Sequence, residues 1–177
     1  MQMGKLPDLC DEPKPAYRGA MRIALYQPEI AGNVGAVMRL GACLGVVVDL
    51  IEPMGFAWDD KRVRRTAMDY IDFVEVARHP GFSAFHATLG EARLILLTTK
   101  AEQSLYDFAF AADDILLFGQ ESAGVPAAIA ARCDARLKIP IHPAVRSLNL
   151  ATSAAIALGE ALRQTGALPE YAPSLRV

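Results

Sequence analysis

Residues 22–44 read RIALYQPEIAGNVGAVMRLGACL. The first five, Arg22–Tyr26, hold the apolar run IALY, are closed by Pro28 and predict a strand. Farther on, Val34, Met38 and Gly41 recur at helical spacing, which predicts a helix over Asn33–Leu44 with these three facing the core. Asn33 is suited to its N-cap, because the side-chain oxygen of asparagine accepts a first-turn backbone N–H. A strand passing through a glycine-bearing turn into a helix opens an alternating α/β chain.

The alternation continues outward. Val46–Ile51, Leu94–Thr98, Ile115–Phe118 and Leu137–Ile139 read as further strands, each short, apolar and bounded by turn residues. Lys61–Met68, His79–Leu89, Pro126–Arg132 and about Asn149–Gln164 read as the helices between and after them, with Pro126 at the first helical position. The expected fold is one α/β domain with a mostly parallel sheet. Residues 1–20 carry three prolines, mixed charge and no periodicity, and read as a flexible tail. Residues 167–177 read as a loose C-terminal tail, which leaves 21–166 as the domain.

A length of 177 residues suits one domain, and 53% apolar with 21% charged residues excludes a disordered chain. No apolar run approaches the ~20 residues of a membrane span, and residues 1–20 lack the apolar core of a signal peptide. Cys10, Cys43 and Cys133 are scattered, with no CxxC or Cys/His cluster. Neither a zinc site nor a disulfide framework is expected, and a reducing cytoplasm is. The net charge of −2 argues against a general nucleic-acid binder and leaves a local basic patch open.

The opening stretch admits three readings. As a dinucleotide cradle it fails: Gly32 and Gly35 stand as G-x-x-G, the next glycine is Gly41 inside the helix, and only Glu52 lies where a ribose-binding acid belongs. As a plain capped helix it accounts for most residues, with Arg39 a solvated arginine. The third reading starts from Gly35, Arg39 and Ala42 on one helical face, where two small residues let a ligand reach the guanidinium.

Elsewhere, DDKRVRR at 59–65 places Lys61, Arg62, Arg64 and Arg65 together, either as a solvated helix face or as a phosphate-binding patch. Phe56 and Trp58 precede it, as core residues or as a stacking platform for a base. ILLFGQESAGVP at 115–126 ends a strand in Gly119, where the backbone can approach a ligand. IPIHPAVRSLNLATS at 139–153 follows another strand, and Ser147 or Asn149 can cap the alanine-rich helix behind it. Two such loops predict one shared pocket lined by backbone. His79, His86 and His142 have no partner at catalytic spacing and read as surface or loop residues.

Taken together, N33-x-G-x-x-x-R39, FGQES-x-G-x-P and IP-x-x-P-x-x-R-S-L-N-L resemble the three motifs of the SPOUT-class RNA 2'-O-ribose methyltransferases. LYQPEI, IEPMGFAWDDKRVRR-x-x-x-DY, LTTK and LRQTG are similar to its small branch, the tRNA (cytidine/uridine-34) 2'-O-methyltransferases, across residues 21–166. The resemblance implies an α/β fold with a C-terminal trefoil knot, S-adenosylmethionine as methyl donor, no metal, a cytoplasmic homodimer, and the anticodon stem-loop of tRNA, leucine tRNAs above all, as substrate. It places the catalytic role on Arg39, cofactor contacts on Leu97, Gly119, Ile139 and Ser147, and a supporting role on Asn33, Glu121 and Asn149. Lys61, Arg62, Arg64 and Arg65 become candidate RNA contacts. The alternatives are 2'-O-methylation at another tRNA or rRNA site, or a non-catalytic RNA-binding protein. Departures from the family's usual pattern are Ala31–Gly32 for two prolines, Gln120 and Ala123 for a proline and an arginine, and Ala151–Thr152 for a serine-asparagine pair.

Overall fold

The computed structural model describes residues 21–58, 70 and 73–170. Seven strands form one sheet: β1 (Arg22–Tyr26), β2 (Val47–Ile51), β3 (Val76–His79), β4 (Leu94–Leu97), β5 (Gln103–Ser104), β6 (Ile115–Phe118) and β7 (Ala135–Lys138). Their order is β3-β2-β1-β6-β4-β7-β5 and every pairing is parallel. The expected strands are present, with β7 two residues earlier than its predicted start. Two were not foreseen. β5 has only two residues, and β3 (VARH) carries only two apolar side chains, which gives neither the run nor the clean alternation that marks a strand.

Helices cover both faces, so the inner strands are buried throughout, as parallel sheets require. Ile23, Leu25, Val48, Leu50, Ile95, Leu116 and Phe118 face α1 (Ala31–Leu44) and α4 (Leu150–Thr165). Ala24, Tyr26, Leu94, Leu96, Ile115 and Leu117 form the second core with Phe85 of α2 (Phe82–His86) and with Ile129 and Ala130 of α3 (Ala127–Ala130). Of the α4 alanines, Ala154, Ala157 and Ala161 are fully buried, and α4 lies against α1.

Three local expectations change. Helix α1 begins two residues early, with Ile30 as its N-cap and no side-chain cap bond, which frees Asn33 for other partners. Pro126 is the N-cap of α3 and lies just outside it. His79 is neither a helix start nor a surface residue. It closes β3, is 8% exposed, and its Nε2 lies 2.7 Å from Asp49 Oδ1. Asp49 is fully buried and also accepts from Arg22 Nε at 2.8 Å and Nη2 at 2.6 Å, so its desolvated charge is balanced inside the sheet.

The predicted helix Lys61–Met68 and the N-terminal tail lie outside the described residues. Among the described residues, no helix is long and apolar enough to cross a membrane, and no cluster of three metal-ligating side chains occurs.

Candidate active site

In a parallel sheet, ligands gather beyond the C-terminal strand ends. Here β6, β4 and β7 are neighbours, and the loops after all three meet over one cleft of about 630 Å3. Its lining includes Leu97 at the end of β4, Gly119 after β6, Ile139 after β7, and Ser147 in the loop before α4. Asn33, Glu121 and Asn149 line it too. Three segments distant in sequence therefore supply one pocket, as the two-loop reading expected, with Leu97 from the third strand end.

A chain of side-chain bonds holds these segments together. Asn33 Nδ2 donates to Glu121 Oε1 at 2.9 Å, and Asn149 Nδ2 donates to Asn33 Oδ1 at 2.9 Å. Asn149 Oδ1 then accepts from the backbone N–H groups of Ala151 (2.9 Å) and Thr152 (3.3 Å), capping α4. One relay thus ties the turn after β6 to the starts of both long helices. Each amide uses both ends, which fixes its orientation.

Gly119 has a further task besides the one its position suggested. An added Cβ would lie 2.6 Å from Gly124 Cα, so the turn itself occupies the space that a side chain would need. Gln120 and Gly124 close that turn with two 2.9 Å backbone bonds, and Gly124 sits at φ 73°. The absent side chain lets the loop fold back on the strand end.

Chemically, the lining mixes apolar side chains with polar ones. Leu97, Phe118, Ile139 and Ile141 line the cleft with Thr98, Lys100, Arg146 and Ser147. Neither cysteine nor histidine is among the lining residues. The Ser122 hydroxyl donates to Glu29 at 2.7 Å, and the Glu121 carboxylate is taken up by the Glu29 backbone and Asn33. The Ser122 hydroxyl is bonded to a carboxylate, and that bond ties two loops together. The arrangement suits the binding of a small molecule that brings its own reactive group.

Arg39 lies elsewhere. It is exposed on α1, outside the cleft lining, with its guanidinium 4.7 Å from the centre of the Tyr70 ring. Gly35, its proposed neighbour on the open face, is buried. Lys61, Arg62, Arg64 and Arg65 lie outside the described residues. Phe56 and Trp58 pack partly buried against the core, which favours the core reading, although Arg78 covers the indole at 5.1 Å. The sequence reading missed Glu29 and Gln27. Glu29 stood between two apolar-looking turns with no partner nearby in the chain. Its partner, Ser122, is 93 residues away.

Comparisons with known proteins agree with this geometry. The model of the SpoU rRNA Methylase family matches residues 20–159. A tRNA (cytidine(34)-2'-O)-methyltransferase of Beijerinckia indica subsp. indica is 56% identical over 148 residues, 82% of this chain and 92% of that one. A solved structure described as giving insights into the 2-OH methylation of C/U34 on tRNA is 42% identical, with a TM-score of 0.78 over 82% of this chain and 95% of the other. The SpoU methyltransferase AviRb of Streptomyces viridochromogenes, solved with the cofactor AdoMet, is 25% identical, with a TM-score of 0.75 over 82% of this chain and 58% of that one.

Proposed function

We propose, from the premise that this chain belongs to the SpoU methylase family, that it methylates the 2'-oxygen of nucleotide 34 in tRNA, a cytidine or modified uridine, with S-adenosylmethionine as donor. The observation that carries the proposal is the convergence of Leu97, Gly119, Ile139 and Ser147 on one cleft. Its relatives named for this reaction span nearly their whole length in the match.

The residues present fit the cofactor. A cleft of about 630 Å3 is of a size that takes a nucleoside-sized ligand. Its apolar side chains, Leu97, Phe118, Ile139 and Ile141, suit a purine, and the backbone groups at three strand ends suit the purine edge and the ribose. When bound, S-adenosylmethionine supplies a methyl group on a sulfonium, which needs no further activation. What remains for the protein is to orient the ribose hydroxyl and stabilise the negative charge that develops as its proton leaves. Arg39 is the group for that task. A guanidinium stays protonated throughout, so it acts by donating hydrogen bonds to the 2'-oxygen and the adjoining phosphate. The Tyr70 ring beneath it restricts its orientation.

A homodimer in the cytoplasm, a trefoil knot in the C-terminal segment and a preference for leucine tRNAs belong to the same proposal. Asn33 and Arg39 are six residues apart on α1, so about 9 Å along the axis and about 120° around it. The homodimer is proposed to close that separation, with the Arg39 of one subunit serving the cleft of the other. β6 lies between β1 and β4, and the turn after it bonds back to the β1–α1 segment. Lys61, Arg62, Arg64 and Arg65 are proposed to bind the anticodon stem-loop phosphates.

The test is transfer of a labelled methyl group from S-adenosylmethionine to purified tRNA. Label enters a transcript with a 2'-hydroxyl at nucleotide 34 and is absent from one with 2'-deoxyribose there. Equal incorporation into both would place the reaction at another site.

A further inference from the structure

The turn between β1 and α1 carries bonds that the reading above leaves unused. Glu29 and Glu121 clasp each other's loops. The Glu121 carboxylate accepts from the Glu29 backbone N–H at 2.8 Å. In return the Glu29 carboxylate accepts from the Ser122 backbone N–H at 2.8 Å and from its hydroxyl at 2.7 Å. The Ser122 hydroxyl and amide hold the Glu29 carboxyl below the usual carboxylate range, so both bonds are to a charged acceptor at neutral pH.

The Glu29 backbone is itself boxed in. A Cβ on Gly55 would lie 2.8 Å from Glu29 Cα, and the Gly55 N–H donates to the Pro28 carbonyl at 2.9 Å. Just before it, Gln27 holds φ 47°, a left-handed conformation that side chains disfavour, and its Oε1 accepts from Gln120 Nε2 at 3.2 Å. The 119–124 turn is therefore gripped at Gln120, Glu121 and Ser122 by the 27–33 segment, which rests on the loop after β2. Glu29 does not line the cleft, but Gly119 through Gly124 do.

We propose that Glu29 is a positioning residue for the cofactor: by gripping Ser122 it sets the cleft wall formed by residues 119–124. The proposal rests on the S-adenosylmethionine reading of that cleft. It assigns a task to a carboxylate that touches no reacting atom. A half-exposed bond of this kind adds little to global stability, so its effect is concentrated in the turn it holds.

The experiment compares wild type with Glu29→Ala, Glu29→Gln and Ser122→Ala. It measures S-adenosylmethionine affinity by calorimetry without RNA, amide hydrogen exchange in the cofactor-free protein, and KM against kcat. Glu29→Ala is expected to weaken cofactor affinity and raise its KM about three- to tenfold, the size of losing solvent-exposed hydrogen bonds. Its kcat is expected to stay within about threefold, because no transition-state contact is removed. Exchange rises over residues 119–124 and stays unchanged in β1 and β6. Glu29→Gln keeps an acceptor for the Ser122 amide and is expected to recover most of the affinity.

Wild-type cofactor affinity in Glu29→Ala would overturn the proposal while leaving the proposed function intact. So would losses in Glu29→Ala and Glu29→Gln that merely track a falling melting temperature. If Glu29→Ala does not fold, Ser122→Ala carries the test, because it removes one hydroxyl from an exposed turn. An unchanged affinity there overturns the proposal. A wild-type protein that binds no S-adenosylmethionine would overturn the functional reading and this one with it.

Discussion

Glu121, Asn33 and Asn149 in the cleft are bound to one another and to backbone amides, and the glycine beside them is filled by its own turn. On the outward side of α1, Arg39 is exposed and stacked on a tyrosine. The first region is preorganised and uses its polar groups internally. The second lies outside the cleft lining, with its guanidinium over the Tyr70 ring. This is the division expected of an enzyme that must hold a small cofactor in one pose and accept a large polyanion from solution.

Substitutions on the two sides are therefore expected to separate binding from turnover. Arg39→Ala has the largest effect, a loss of about 10²–10³ in methylation rate, with calorimetric S-adenosylmethionine affinity unchanged. Loss of cofactor binding in that variant would erase the division. Gly119→Ala comes next. Its new Cβ meets the Gly124 backbone, so the turn must shift, at about 1–3 kcal/mol for an overpacked site. Cofactor affinity is expected to fall about tenfold or more, while tRNA affinity measured by filter binding holds.

Neutralising two of Lys61, Arg62, Arg64 and Arg65 is expected to weaken tRNA binding and to flatten the slope of log K against log salt by about one per cation. An unchanged slope would return that run to a solvated face. The smallest effect is on Tyr70→Leu. Removing the ring under Arg39 forfeits about 0.5–1 kcal/mol, so methylation is expected to slow by roughly two- to fivefold, seen in single-turnover rates.

Much of the fold was legible in the sequence. β1, β6, α1 and α4 carry strong apolar patterns, and their bounds were read to within two residues. β3 was hidden because Arg78 and His79 interrupt its apolar run. Arg78 faces out to Glu52, and His79 is buried against Phe85 and against Asp49, 30 residues away, whose Oδ1 lies 2.7 Å from its Nε2. The cleft residues were legible as motifs at strand ends, where glycine and proline punctuation is visible. How they interlock was not. Asn33 looked like a helix cap, a local role, yet its bonds run to Glu121 and Asn149, 88 and 116 residues away. Glu29 gave no signal because its partners lie on another loop. Pairing across loops is set by topology, which local pattern does not encode.

The central claim is that this chain methylates the ribose of nucleotide 34. Mapping 2'-O-methylation in cellular tRNA, with the gene intact, deleted and restored as Arg39→Ala, tests it most directly. The account predicts methylation at nucleotide 34 in the intact strain, its loss on deletion, and no recovery with the Arg39→Ala protein. Methylation at nucleotide 34 that persists after deletion, or a loss confined to another tRNA or rRNA position, would contradict it.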